Sequence, residues 1–298
     1  MLTIALHQDE SVFVHLSGAQ KGKKKIEKIG LFSPDFSFDR PFIYQQSSKN
    51  LLSEMLREIL DVLPVKQQEV YFSFPGELAY VTVYDDVKQD EIKTIVDKDI
   101  WLAEKKFGNE LVSASDCQVK VVYKDNGLAR ITPIYFPKRI LEVFTRVCHE
   151  NNCKLVGLGI NIFNSTEIAK KLTKESDYVI LSYEAGQYEL TSIKKGILIS
   201  YARFSAINNK AFYLLKSGNV PEELCDAVIR KDTTVLDSYG IFITGTSHSL
   251  EHLRDLQQLA PDMLVLNPMN INSAYSKPTV EYDRRYNTVF SSALGALI

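Results

Sequence analysis

The sequence predicts an α/β protein made of two halves on one plan, and three observations carry that prediction. Residues 177–203 read as three consecutive strands. An apolar run covers 178–183. Alternation follows over 188–193, with Tyr188, Leu190 and Ser192 on one face and Glu189, Thr191 and Ile193 on the other, and a third run covers 197–203. The breaks are Glu184-Ala185-Gly186 and Lys194-Lys195-Gly196, so period-two patterning between Gly-containing turns marks a β-meander. The N-terminus opens in the same way, with strands over 2–6, 11–17 and 26–32. In both halves helices and short apolar strands then alternate, which is the pattern of a layered α/β domain with a cleft between the halves.

The bulk properties set bounds. A chain of 298 residues allows one large domain or two of ordinary size. With 45% apolar residues, 24% charged residues and a formal net charge of -2, the balance is globular. It gives no reason to expect nucleic acid or an anionic membrane as the main partner. No apolar run approaches the roughly 20 residues that span a bilayer. MLTIALHQDE shows no basic n-region and no long h-region, so neither a span nor a signal peptide is expected. Four cysteines (Cys117, Cys148, Cys153, Cys225) fit a reducing cytoplasm. Cys148 and Cys153 flank His149, but Cys-x4-Cys with one nearby His is a poor zinc pattern, and ordinary buried thiols are expected.

Within the first meander, residues 18–25 (GAQKGKKK) form a basic hairpin tip, four lysines in five residues, read as solvated. Residues 33–45 look like loop. Ser47 or Ser48 caps a helix to about residue 63, where Leu52, Met55, Leu56, Ile59 and Leu60 make one apolar face and Pro64 ends it. Strands are expected over 69–74, closed by Pro75-Gly76, and over 79–84. A helix follows over 90–107 with Trp101 packed on it, stopping at Gly108. Asp125-Asn126-Gly127 joins a hairpin of 116–123 and 128–135. Pro137 starts a helix over 138–151, and a strand (154–158) and a helix (163–172) close the first half. After the second meander, helices are expected over 208–217 and 221–231. A buried strand (240–244) runs into the small-residue turn Gly245-Thr246-Ser247, and a helix (249–259), a strand (263–266) and a last apolar helix (289–298) follow.

Known catalytic signatures are missing. There is no Gly-x4-Gly-Lys-Ser/Thr and no Gly-x-Ser-x-Gly. His248 and His252 share a helix face around Glu251, but HSLEH is not the HExxH order, and a surface pair is expected. Tyr282, Asp283, Arg284, Arg285 and Tyr286 mix charge with aromatics, either as a partner-binding patch or as a solvated loop over the cleft.

The element order resembles the actin-like ATPase superfamily of sugar kinases, Hsp70 and the bacterial actins. Four stretches are similar to the PilM family of type IV pilus assembly proteins and the related cytoplasmic domain of type II secretion GspL proteins. They are EVYFSFPGELAYVTVYDD with EIKTIVDKDIWLAEKKFG; ARITPIYFPKRILEVFTRVCHENNCKLVGLGINIFNSTEIAKKL; IFITGTSHSLEHLRDLQQLAPDMLVLNPM; and FSSALGALI. The resemblance implies a duplicated actin-like (ribonuclease H-like) fold, with a mixed five-stranded sheet and flanking helices in each lobe. Residues 1–173 would be the first lobe, carrying an inserted subdomain of about 66–136, and 174–298 the second.

Actin-like ATPases hold magnesium-nucleotide between two Asp-containing hairpins whose glycines let the backbone approach the phosphates. Here Ala5 stands where the first Asp is expected and His7 near the Gly; Ser182 stands at the second Asp and Glu184 at the Gly, where a carboxylate repels phosphate. Thr244-Gly245-Thr246-Ser247 keeps one Gly of the adenosine-side turn. The reading is a degenerate fold that has lost ATP hydrolysis, with no catalytic residue and no metal ligand assigned. Gly186, Gly245, Thr246 and Ser247 are what remains of a nucleotide site, and simple turn geometry is the competing account of the glycines. No cofactor is expected, with ATP and magnesium as the alternative. The resemblance further implies a bacterial scaffold, cytoplasmic or peripheral at the inner membrane. It would grip a short peptide of a membrane-anchored partner in an apolar cleft among residues 66–136, with self-association as a further option. The alternatives are an active ATP-dependent kinase or ATPase of the superfamily, or an actin-like protein with another partner.

Overall fold

The computed structural model describes residues 1–298 except 21–22, 65–67, 109–111, 113–116, 125–126, 185, 272–274, 277–289 and 297–298. The strands of the first part are β1 (Leu2–Leu6), β2 (Ser11–Gln20), β3 (Lys23–Phe32), β4 (Glu69–Phe74), β5 (Tyr80–Val81), β6 (Tyr84–Val87), β7 (Gln118–Tyr123), β8 (Ala129–Tyr135) and β9 (Lys154–Ile160). Its helices are α1 (Arg40–Tyr44), α2 (Ser48–Asp61), α3 (Ile92–Lys106), α4 (Lys138–Glu150) and α5 (Asn161–Leu172). The second part adds β10 (Tyr178–Glu184), β11 (Gln187–Lys194), β12 (Ile197–Ile207), β13 (Lys210–Gly218), β14 (Ile241–Thr244), β15 (Leu264–Val265) and β16 (Tyr275–Ser276). Its helices are α6 (Glu222–Arg230), α7 (Thr233–Leu236), α8 (Ser247–Leu259) and α9 (Ser291–Gly295).

Duplication is visible in the sheets. The first runs β3-β2-β1-β4-β9 and the second β12-β11-β10-β14-β15. In each, the first three strands are an antiparallel meander and the next two are added in parallel. Each half thus repeats one rule: hairpins need only tight turns, whereas each parallel strand needs a helical crossover. A sixth strand differs between them. β13 extends the second sheet beside β12, and β16 lies parallel to β3 in the first.

Residues 208–217 are therefore not helical. Asn208 and Asn209 both take positive φ and make a two-residue turn, and β13 pairs back along β12 from Ile207↔Lys210 onward. A two-residue hairpin favours this geometry, and pairing along a ready edge overrides the helical spacing of Phe212, Leu215 and neighbours. The inserted subdomain also begins later than residue 66, because β4 is an interior strand of the first sheet. What is inserted after Phe74 is a small sheet in which β5, β6 and β7 all pair with β8. Trp101 is not packed in. It is 56% exposed, and the Lys105 ammonium lies 3.8 Å from its ring centroid.

The first sheet is packed on both faces. On one, α2 and α4 bury their apolar stripes; Phe144 of α4 meets Phe72 and Phe74 of β4 at centroid distances of 4.6 and 5.4 Å. On the other, Val12, Val14 and Ile168 pack with Phe290, Ala293 and Leu294. The division at 173/174 gave the tail to the second lobe, but β16 and α9 both lie against the first sheet. Residues 282–286, the middle of the basic tip and most of the Asp125-Asn126-Gly127 turn lie outside the described residues.

Gly295 shows how close the tail comes. A Cβ there would stand 1.8 Å from the Asn164 carbonyl oxygen in α5. Gly295→Ala is expected to push α9 off α5 and to lower unfolding stability by about 1–3 kcal/mol, the usual cost of overpacking. Urea denaturation checks this, and an unchanged midpoint would show that α9 does not bear on the first lobe.

Candidate functional site

α5 runs between the two sheets, touching β4 and β9 on one side and β10, β11 and β14 on the other. Its residues 161–166, 168 and 169 are all buried, four of them polar. Polar groups buried in this way need partners, and over its first two turns α5 finds them in different places, although Asn161 Oδ1 is left without one. Asn161 Nδ2 donates to the Leu6 carbonyl (2.8 Å), Asn164 Nδ2 to the Ser292 carbonyl (2.9 Å), and Thr166 Oγ1 to its own helix at Ile162 (2.9 Å). Ser165 and Thr244 share a hydrogen bond of 3.0 Å. The helix therefore fixes β1, α9 and β14 relative to one another, and the cleft opens beside it.

Two second-lobe carboxylates cross that cleft. Glu184, at the end of β10, accepts a hydrogen bond from the backbone N–H of Gln8 in the β1–β2 turn. Its second oxygen lies 3.4 Å from His7 Nδ1. His7 is 3% exposed; its Nε2 meets Ser292 Oγ at 3.1 Å, and Asn161 Nδ2 is 3.3 Å from Nδ1. Burial alone would push the imidazole pKa down, but the Glu184 charge and hydrogen bond outweigh it and hold it above its ordinary value. Glu189, on β11, is buried and accepts from the Gly76 N–H at 2.8 Å. Gly76 is needed there: a Cβ would stand 2.1 Å from the Tyr201 hydroxyl and 2.5 Å from Glu189 Oε1. Desolvation raises Glu189 to about 7, offset in part by the Arg203 guanidinium. The same two causes leave Glu77 raised as well. Gln8, Pro75, Glu77, Glu184, Gln187 and Glu189 line a narrow cavity of about 10 Å³.

The residues predicted to remain from a nucleotide site come to one end of the second sheet, since β10 and β14 are neighbours with Ser182 opposite Thr244. Gly186 is exposed at the β10–β11 turn with φ +77° and open space about it. Gly245 is buried with φ +141°. Thr246 caps α8 by accepting from the Ser249 N–H (3.1 Å), and Ser247 begins that helix. Ser249 donates to the Tyr183 carbonyl. His252 does not merely sit on the surface: its ring stacks on Tyr183 at 3.6 Å, and its Nε2 meets the Tyr188 hydroxyl at 2.9 Å. The turn donors and acceptors described here thus have partners within the chain.

A second concavity lies between α5 and the inserted sheet. One face of the inserted sheet (Lys120, Val122, Arg130, Thr132) looks across it to Phe163, Glu167 and Lys170 of α5 and to Ile197 and Leu198 of β12. Its cavity volume is about 90 Å³, below the about 300–1,000 Å³ common for small-molecule sites, so it offers room for single side chains of an extended segment. Gln118 closes one end by donating to the Leu158 carbonyl at 2.8 Å. Glu167 spans the groove, 2.9 Å from Lys170 and 3.7 Å from Lys120. Among the described residues β7 pairs only with β8, which leaves its outer edge open. The expected cleft among residues 66–136 is thus lined only in part by them. Sequence reasoning missed the α5 and β12 walls, because nothing local in NIFNSTEIAKKL says which sheet it packs on.

Glu189 sets a pH dependence. A carboxyl with a higher pKa in the folded chain favours folding most below its unfolded value of 4.5, and that advantage is lost as pH rises through about 7. Between pH 5 and pH 8 it is expected to cost the protein up to about 3 kcal/mol. Glu189→Gln keeps an oxygen for the Gly76 N–H and does not titrate, so its stability should fall less over the same interval. His7 titrates in the same direction in both proteins. Denaturation at the two pH values measures the difference, and parallel profiles would count against a titrating Glu189.

The sequence matches no protein-family model and no curated protein. Solved structures do match. A chain of a PilM–PilN type IV pilus biogenesis complex is 11% identical, covers 99% of this chain and 96% of its own length, and superimposes with a TM-score of 0.67. A Bacteroides thetaiotaomicron protein with actin-like ATPase fold and unknown function is 12% identical over 90% of each chain, with a TM-score of 0.46. The cytoplasmic domain of EpsL, an inner membrane component of the Vibrio cholerae type II secretion system, is 11% identical over 65% of this chain and 68% of its own, with a TM-score of 0.38. The duplicated strand order and the likeness over almost the whole chain together show that this protein has the actin-like ATPase fold.

Proposed function

We propose that this protein is a non-catalytic actin-like scaffold that holds a short extended peptide of a membrane-anchored partner, at the cytoplasmic face of a pilus or secretion assembly. The groove between the inserted sheet and α5 is the observation that carries this reading. Val122, Phe163, Ile197 and Leu198 supply apolar contact, and the open edge of β7 offers backbone groups to an added strand. Lys120 and Lys170 share one carboxylate, Glu167, so the rim keeps a surplus of positive charge for an acidic residue of the peptide. The likeness to a chain of the PilM–PilN complex supports the class of partner. No helix among the described residues is long and apolar enough to cross a membrane, which fits attachment through a partner.

The non-catalytic part of the reading rests on the cleft. The β1–β2 turn N–H that would meet an anion is taken by Glu184, and Glu77 and Glu189 place further carboxyl groups beside it. Titration with a fluorescent ATP analogue and magnesium is expected to give no saturable binding; micromolar saturable binding would overturn this.

The groove is tested by a photo-crosslinking amino acid at position 197, with captured peptides identified by mass spectrometry. The expected product is a terminal segment of a single-span membrane protein. Val122→Glu, on an exposed strand, should reduce capture about tenfold or more, the effect of spoiling a central apolar contact, with little change in stability. Capture of soluble proteins alone, or capture insensitive to Val122→Glu, would sink the assignment.

A further inference from the structure

Backbone N–H groups of the first lobe, at Gln8 and Gly76, each receive a carboxylate oxygen from the second lobe. These contacts are the more telling because of what surrounds the first of them. The β1–β2 turn is closed by the His7 N–H on the Glu10 carbonyl at 2.9 Å, which leaves the next N–H, that of Gln8, directed outward into the cleft. Beside it lies the buried His7 imidazole, whose far nitrogen, Nε2, is held by Ser292 Oγ. An outward turn N–H next to an imidazole is a small anion site. We propose that this site is filled from within: Glu184 acts as a built-in anion that clasps the lobes together, where another anion would have to come from solution.

Several observations support the clasp over an incidental contact. Both Glu184 oxygens are engaged, one by Gln8 N–H and the other facing His7. The charged groups acting on His7 are Glu184, Glu10 and Glu189, all acidic, so the imidazole is a natural cationic partner for the one carboxylate that touches it. An external anion entering the adjoining cavity would meet Glu77 and Glu189 as well, so the wild-type site repels what it would otherwise attract. Glu189 on Gly76 adds a parallel clasp farther into the cleft. The Glu184 side chain is 17% exposed and the Gly186 turn beyond it stands in open space. The clasp can therefore be removed without hollowing a core.

The proposal is independent of the partner groove, which is lined by other residues. It is tested by chemical rescue of Glu184→Ala. The variant is expected to melt at lower temperature and to give a larger radius of gyration by small-angle X-ray scattering. Acetate, a free carboxylate, should restore both toward wild type where the same concentration of chloride does not, and wild type should respond equally to the two salts. Equal response of the variant to acetate and chloride, or equal stabilisation of wild type by acetate, would overturn the proposal. Should Glu184→Ala fail to fold, Glu184→Gln keeps an acceptor for Gln8 N–H and loses only the charge. NMR titration of His7 in that variant should then show proton affinity reduced about tenfold or more. An unchanged His7 titration would equally overturn the clasp.

Discussion

Burial of α5 between two sheets is the constraint on which the molecule depends. A helix with water on one side can leave its polar residues there. This one cannot, and Asn161, Asn164 and Ser165 reach out to β1, α9 and β14. A buried polar group left unpaired costs about 1–3 kcal/mol, so the three bonds hold position as well as contribute energy. The mutual placement of the lobes follows from them.

On the cleft side, the electrostatics run opposite to what phosphate chemistry needs. Phosphate sites gather backbone N–H groups, cations and a metal ion. Here Ala5 and Ser182 bear no charge, and Glu77, Glu184 and Glu189 bring carboxyl groups to the cleft. Burying Glu189 is costly, which is why its pKa rises to about 7. The Gly76 N–H and the Arg203 guanidinium offset part of that cost.

Much of the fold could be read from residues alone, because its strongest signals are local. The alternation of 188–193 and the Gly186 and Gly196 turns marked the second meander, and the apolar stripe of α2 marked its helix. What escaped was set by distant neighbours. Residues 210–218 became a strand because β12 presented an edge, and Trp101 stayed in solvent although its helical position looked inward. The candidate site was legible by halves. Glu184 stood out as an acid where glycine was expected, but its partners His7 and Gln8 lie about 177 positions away along the chain, a pairing that only the folded sheets create. Glu189 looked like an ordinary polar face of a meander strand, since nothing local announces that β11 is buried on both faces.

The tail has a consequence for how such a chain is made. The first sheet takes β16 at its edge and α9 over one face, so Val12, Val14 and Ile168 await apolar cover from Phe290, Ala293 and Leu294, far later in the chain. A domain assembled during synthesis ordinarily closes in N-to-C order. This one leaves its first strands half-dressed until residues 290–294 have been made, whereas among the described residues the second sheet uses no strand beyond β15.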